Sequence, residues 1–208
     1  LIEPVERAAK RTASQLELSL RQVRADQSAY LRNVDKSKDV LSMTSGDRYE
    51  DSGSGNTIAS TRHPMVILLD NVRSAFNVGS LFRPGEPAGI EEIITAGITA
   101  HPPHPKLRKT AMQSLEAVPT RHYSDVMDAV RALKDEGYTI CVMETTSKSE
   151  IYTETDYPEK TCLVLGNEIT GVDTRIIDIA DKVVEIPTYG VKNSLNVASA
   201  GPIVMFEV

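Results

Sequence analysis

The chain has 208 residues, enough for one sizeable hydrophobic core with an appendage, and its 40% hydrophobic and 25% charged residues are typical of a globular protein. The formal net charge of −6 argues against a protein that coats nucleic acid through bulk positive charge, although it permits a local basic patch. Because no apolar run reaches membrane-spanning length and the first residues carry no apolar targeting segment, we expect no membrane partner.

The first predicted element is a helical N-terminal extension over residues 1–43, where apolar residues recur at three- and four-residue steps. Residues 44–62 are rich in Gly, Ser, Asp and Thr and predict a flexible linker. Two roles stay open for these 62 residues. Basic positions such as Arg7 and Lys10 favour RNA contact, and the apolar periodicity favours packing against the core or a dimer partner.

From residue 63 to residue 208, apolar runs alternate with helical patterns. Continuous apolar runs at 65–70, 91–99, 138–145, 161–166 and 182–187 predict strands that are buried on both faces. Residues 124–137 predict a helix with Ser124 as N-cap and Gly137 as its stop, and residues 173–182 predict a shorter helix. The alternation predicts an α/β domain with a mainly parallel sheet and helices on both faces.

Two cysteines lie inside these strand-like runs, Cys141 and Cys162. We expect buried, reduced thiols in an intracellular, cytoplasmic protein, with an organelle or the nucleus left open, rather than a disulfide. The sequence holds neither a cysteine cluster nor an H-E-x-x-H motif, so we expect no metal.

Three polar loops that contain glycine follow predicted strands, and in open α/β sheets ligands bind beyond the carboxyl ends of strands. Taken singly, each loop has an ordinary explanation: Gly79 and Gly166 are then turn residues, and Ser194 is only a helix cap. The chain carries neither the dinucleotide-binding G-x-G-x-x-G fingerprint after a strand nor a P-loop.

Taken together and in this order, the three loops resemble the motifs of the SpoU (TrmH-like) family within the SPOUT superfamily of RNA methyltransferases. The stretches are NVGSLFR (77–83), LVLGNEITGV (163–172) and VEIPTYGVKNSLNVASA (184–200). The resemblance covers residues 63–208. It implies a C-terminal deep trefoil knot, a homodimer, and transfer of a methyl group from S-adenosylmethionine to a ribose 2′-hydroxyl of tRNA or rRNA.

The resemblance also assigns roles to residues. The catalytic set it implies is Asn77, Arg83, Glu168, Ser194 and Asn196, and the cofactor-binding set is Gly166, Ile186 and Leu195, bordered by Leu165. Ser194 and Asn196 are then expected both to cap the last helix and to face the site.

Prolines interrupt two of the helices that the resemblance implies. Pro84 stands where the family commonly has Thr, so we expect the helix to end or bend beside Arg83, and Pro202 raises the same expectation for the last helix. This departure favours an alternative from a different class, a protein that keeps the fold and binds RNA without turnover.

A basic stretch at 101–113 supplies candidate RNA-binding residues, Lys106, Arg108 and Lys109. An ordinary solvated loop explains the same residues. Because the chain has three Phe and no Trp, it offers little base-stacking surface, and we expect recognition through RNA shape and phosphates.

Overall fold

The computed structural model describes residues 62–208, together with Glu17 and Arg21, which have helical backbone. The predicted N-terminal extension and linker otherwise lie outside the described residues. Within the described part of the chain, no helix is both long enough and apolar enough to span a bilayer.

Seven strands form one sheet in which every neighbouring pair is parallel, in the order β3-β2-β1-β6-β4-β7-β5. They are β1 (His63–Asp70), β2 (Ile90–Ala96), β3 (Thr120–Tyr123), β4 (Thr139–Met143), β5 (Glu150–Ile151), β6 (Thr161–Leu165) and β7 (Lys182–Glu185). The central strands β1 and β6 are buried along almost their whole length, which is why their sequences are continuously apolar. The predicted parallel α/β sheet is confirmed.

Helices cover both faces of this sheet, as predicted. They are α1 (Ala75–Gly85), α2 (Arg108–Ala111), α3 (Ser114–Ala117), α4 (Val126–Asp135), α5 (Thr174–Ile179) and α6 (Val197–Met205). Met65 and Ile67 of β1 point into a core formed with α1 and α6. Val66 and Leu68 point to the opposite face, into a core formed with α4 and α5. The alternation of side chains along a strand therefore divides the apolar run into two cores.

The prediction that Ser124 caps α4 is wrong. The adjacent Asp125 has the extended backbone of an N-cap, and its carboxylate accepts a hydrogen bond from the Met127 N–H at 2.9 Å. Gly137 does stop the helix, as predicted: its φ is +87°, and the Tyr138 N–H reaches back to the Leu133 carbonyl. The short elements β3, β5, α2 and α3 were not expected from the sequence.

The two prolines are accommodated inside helices. Pro84 lies in α1 one residue before its last residue, Gly85, so the helix ends close to Arg83, as expected, and the proline supplies no N–H to the preceding turn. Pro202 lies inside α6, which continues to Met205, so the last helix does not end at this proline.

Helix α1 is held against α2 through a close backbone approach at Gly79. A Cβ atom at this buried position would overlap Thr110 Oγ1 and lie 2.7 Å from the carbonyl oxygen of Leu107. Since Leu107 is itself fully buried, the contact fixes the loop before α2 relative to α1.

We therefore expect Gly79→Ala to lower the free energy of unfolding by about 1–3 kcal/mol, because the added methyl group meets backbone that cannot rotate away. Urea unfolding followed by circular dichroism measures the change. The matched control is Gly190→Ala, where an added Cβ meets nothing within 4 Å and stability should change by less than about 1 kcal/mol. Equal stabilities of the two variants would contradict this packing.

Candidate active site

The carboxyl ends of four strands lie level at one edge of the sheet. Leu165 of β6 pairs with Leu69 of β1 and with Met143 of β4, and Met143 also pairs with Val184 of β7. The loops that follow β1, β4, β6 and β7 therefore leave the sheet side by side, where open α/β sheets bind their ligands.

Glu168, in the loop after β6, is hydrogen-bonded to the start of α1. Its Oε2 accepts the Arg73 N–H at 2.9 Å, and its Oε1 accepts the Ser74 N–H at 3.0 Å and the Asn77 Nδ2 group at 2.8 Å. The N-terminus of a helix favours a negative charge, because its first N–H groups lack helical partners. Ser74 is the N-cap of α1, and its hydroxyl accepts the Asn77 N–H at 3.3 Å.

These bonds determine the ionisation of Glu168. Burial alone would raise its pKa, but the hydrogen bonds from the backbone N–H groups of Arg73, Glu168 and Ser74, and from the Asn77 side chain, lower the pKa below its ordinary value. The carboxylate is therefore ionised at neutral pH, with both oxygens engaged.

Asn77 extends this network to the third loop. Its Oδ1 accepts a hydrogen bond from Asn196 Nδ2 at 3.3 Å. Asn196 is the N-cap of α6, and its Oδ1 accepts the Ala198 N–H at 2.8 Å. The structure thus brings together Glu168, Asn77 and Asn196, one residue from each of the three sequence stretches 77–83, 163–172 and 184–200.

Two members of the expected catalytic set stand apart from this network. Ser194 is exposed two residues before the cap of α6, so the expectation that it caps this helix is wrong: Asn196 takes that position. Arg83 lies on α1 six residues after Asn77, about 120° around the helix from it. Arg83 is exposed and forms no hydrogen bond with another residue of the described part of the chain.

The expected cofactor-binding residues lie on both sides of β4 at the same edge. Gly166 follows β6, and Ile186 follows β7 and is half-buried. Since β4 separates these strands, the two residues lie about 10 Å apart across the sheet. Leu195 is 46% exposed, whereas Leu165 is fully buried and its side chain packs beneath Gly201 of α6.

Three polar residues at the strand ends hold these loops and were missed from the sequence. Glu144 follows β4 and accepts the Val172 N–H at 3.2 Å. Asn167 donates from Nδ2 to the Asn71 carbonyl at 2.7 Å. Asp70 accepts the Asp173 N–H at 2.7 Å, and its burial raises its pKa. Each is the last residue of a buried strand or lies within two residues of its end. That position in the sequence could have indicated that these residues hold the loops.

An open cavity of about 290 Å³ lies over the network, lined by Arg73, Ser74, Asn77 and Glu168. The three basic residues expected to bind RNA differ in their surroundings. Lys106 lines a neighbouring cavity, Arg108 forms an ion pair with Glu116, and Lys109 is exposed. Residues 62–208 contain no group of three His, Cys, Asp or Glu side chains able to hold a metal ion.

The family model described as the SpoU rRNA Methylase family matches residues 64–206. A tRNA (guanosine(18)-2′-O)-methyltransferase of Thermus thermophilus is 29% identical over 143 residues, which cover 69% of this chain and 73% of that protein. Among solved structures, an AdoMet-bound rRNA methyltransferase of Sinorhizobium meliloti is 28% identical, with a TM-score of 0.66. A TrmH/SpoU tRNA modifying enzyme of A. aeolicus is also 28% identical, with a TM-score of 0.63.

These similarities concern the α/β part of the chain. The matched region covers 71% of this chain and 56% of the Sinorhizobium chain, and 70% of this chain and 74% of the A. aeolicus chain. This protein thus spans little more than half the length of one of the solved structures it matches.

Glu168→Gln should lower the thermal stability at neutral pH, because the amide replaces one acceptor oxygen with a donor that faces backbone N–H groups. Because folding lowers the pKa of Glu168, its ionised carboxylate contributes its full stabilisation to the fold above its ordinary pKa of 4.5. This contribution is lost as the pH falls through the lower pKa that Glu168 has in the folded protein. The difference in Tm between wild type and variant should therefore shrink below about pH 4.5.

Circular dichroism melts from neutral pH to about pH 3 measure this difference. Glu159→Gln is the matched control, since Glu159 is exposed and its side chain bonds no described residue. A Glu168→Gln protein as stable as the control at neutral pH would contradict the network.

Proposed function

Because the chain belongs to the SpoU rRNA Methylase family, we propose that it transfers a methyl group from S-adenosylmethionine to a ribose 2′-hydroxyl of tRNA or rRNA. One observation carries the proposal: Glu168, Asn77 and Asn196, which come from three separate stretches of the sequence, form one hydrogen-bonded chain at the carboxyl edge of the sheet. The relatives reported above, which are named as tRNA and rRNA methyltransferases, support the substrate class.

The edge of the sheet suits S-adenosylmethionine. Residues 189–195, which follow β7 and Ile186 in the chain, expose three large apolar side chains, Tyr189, Val191 and Leu195. Apolar side chains suit the adenine ring, and the loops after β6 and β7 offer backbone groups to its polar edge. When bound, S-adenosylmethionine supplies an electrophilic methyl group on a positively charged sulfur.

The chain's own residues orient and stabilise the ribose. A ribose hydroxyl is a poor nucleophile at neutral pH. As its oxygen bonds the methyl carbon, the carbon–sulfur bond to the leaving thioether breaks and the hydroxyl proton passes to water. Arginine carries a positive charge and several N–H donors in a planar fork, so the role of Arg83 is to hold the neighbouring phosphate and to stabilise the developing negative charge on the oxygen. Asn77, Ser194 and Asn196 supply amide and hydroxyl groups that orient the 2′-hydroxyl.

Glu168 acts on the substrate through other residues. Both of its oxygens already accept hydrogen bonds and its pKa is lowered, so it is a poor acceptor for the ribose proton. It is a positioning residue: it fixes the start of α1 and the rotamer of Asn77.

A second candidate function is RNA binding without turnover. It is favoured by Pro84, which follows Arg83 directly, and by the position of Arg83 outside the hydrogen-bonded network. The measurement of methyl transfer described below separates the two functions.

We further propose that the C-terminal segment is knotted. After β7 the chain passes the ends of β4 and β6 and enters α6, which packs on α1 and β6. Gly201 allows this approach, since a Cβ there would lie 2.8 Å from Leu165 Cδ1 and 2.9 Å from Leu81 Cδ2. A trefoil knot requires that the returning segment pass through a loop formed earlier in the chain, and we propose that the segment between β7 and α6 does so.

Arg83→Ala should lower the methyl-transfer rate at saturating S-adenosylmethionine by at least about 10²–10³, because a preorganised charged donor is lost at the oxygen. The dissociation constant for S-adenosylmethionine, measured by calorimetry with and without a chelator, should change little. Arg83→Lys should recover little activity, because lysine lacks the planar fork. The control is Arg131→Ala on α4, at the opposite face of the sheet. Near-normal turnover by Arg83→Ala would contradict the assigned role.

The protein should be a homodimer, because α6 and the residue after it leave Ile203 41% and Phe206 62% exposed on an otherwise apolar helix. Light scattering should give about twice the 22.8 kDa chain mass at micromolar concentration. Phe206→Asp should shift the mass toward the monomer, whereas Ile179→Asp on α5, also an exposed apolar residue, should not. A wild-type monomer would contradict the proposal.

A further inference from the structure

A second cavity of about 370 Å³ adjoins the candidate active site. The two cavities share Arg73 and Ser74 as lining residues, so they are neighbouring parts of one groove along the start of α1. The second cavity extends from α1 to the loop between β2 and α2, and its remaining lining residues are Ala75, Phe76, Ile98, Ala100, His104 and Lys106.

Two apolar side chains are exposed at this cavity. Phe76 lies in the first turn of α1 and is 48% exposed, and Ile98 follows β2 and is 68% exposed. The backbone holds Ile98 in place, because its N–H donates to Asn71 Oδ1 at 3.1 Å. An aromatic ring exposed beside an aliphatic side chain offers a flat apolar surface of the kind on which nucleic-acid bases stack.

Basic residues also line the cavity. Arg73 and Lys106 carry positive charges beside His104, and none of the lining residues is acidic, although the whole chain carries a net charge of −6. The Lys106 N–H donates to His104 Nδ1 at 3.3 Å, and the next residue, Leu107, is fully buried. The basic side chain therefore extends from an anchored piece of backbone.

We propose that this second cavity binds the nucleotide next to the one whose ribose is methylated, with its base against Phe76 and its phosphate at Lys106. The inference rests on the proposed function, because Asn77, which lines the neighbouring cavity, is the residue proposed to orient the target 2′-hydroxyl. It gives Phe76 a stacking role in a chain that has few aromatic residues. It also assigns the phosphate contact to Lys106 and not to the basic residues that follow it in the chain. Arg108 is engaged with Glu116, and Lys109 does not line the cavity.

The test is equilibrium binding of two fluorescently labelled probes to the full chain. One probe is a single-stranded oligoribonucleotide of about ten uridines, close to the site size of single-stranded RNA binders, and the other is the same backbone without bases. Phe76→Ala should weaken binding of the uridine probe at least about fivefold and leave the abasic probe within about twofold. Lys106→Ala should weaken both probes and reduce the slope of log affinity against log salt by about 0.7. Arg131→Ala is the matched control, because it removes one positive charge from α4 at the opposite face of the sheet, and it should change neither probe by more than about twofold.

Three results would overturn the inference: no measurable binding of the uridine probe by wild type at low salt, an equal effect of Phe76→Ala on both probes, or an equal effect of Lys106→Ala and Arg131→Ala. Failure of the proposed function is seen separately, as absence of methyl transfer by wild type to RNA, which the binding assay does not require. Where transfer occurs, Phe76→Ala should raise the KM for RNA and leave kcat within about threefold.

Discussion

The arrangement of the candidate site depends on one carboxylate at the start of one helix. Glu168 accepts the N–H groups of Arg73 and Ser74 and the side-chain amide of Asn77, which lies 91 residues away in the chain. A helix N-terminus stabilises a negative charge, and the charge in turn satisfies donors that the helix leaves free. The Oδ1 of Asn77 in turn accepts a hydrogen bond from Asn196 Nδ2 at the start of α6. A neutral residue in place of Glu168 would leave the N–H groups of Arg73 and Ser74 and the side-chain amide of Asn77 without their charged acceptor.

The parallel sheet makes this meeting possible. Its register aligns the ends of β1, β6, β4 and β7, so loops that are far apart in sequence leave the sheet at one edge. The polar residues beyond each strand then bond to the neighbouring loop: Asn167 reaches the backbone after β1, and Glu144 reaches the backbone after β6. The two apolar cores hold the strands, whereas these polar contacts set the loops, and this division separates the stability of the fold from the geometry of the site.

Much of the frame was predictable from the sequence, because continuous apolar runs mark the buried strands β1, β2, β4, β6 and β7. The edge strand β5 and the short β3 were missed, since each has two to four residues and a largely polar sequence. The helix caps were predictable in type but only partly in position. Asp125 caps α4 where its neighbour Ser124 was expected, and of Ser194 and Asn196, both expected to cap α6, only Asn196 does so. The backbone angles decide between capping residues that lie close together in the sequence. The bonds of Glu168 span more than 90 residues and leave no local pattern.

The central claim is that this edge of the sheet directs a methyl group to a ribose oxygen. The most direct measurement incubates the full chain with RNA from cells that lack it and with S-adenosylmethionine carrying a trideuterated methyl group. The RNA is then digested to nucleosides, which are analysed by mass spectrometry. The account predicts that the label stays with the sugar fragment of a 2′-O-methylated nucleoside. Label on a base, or no label in RNA under conditions in which the cofactor binds, would contradict it.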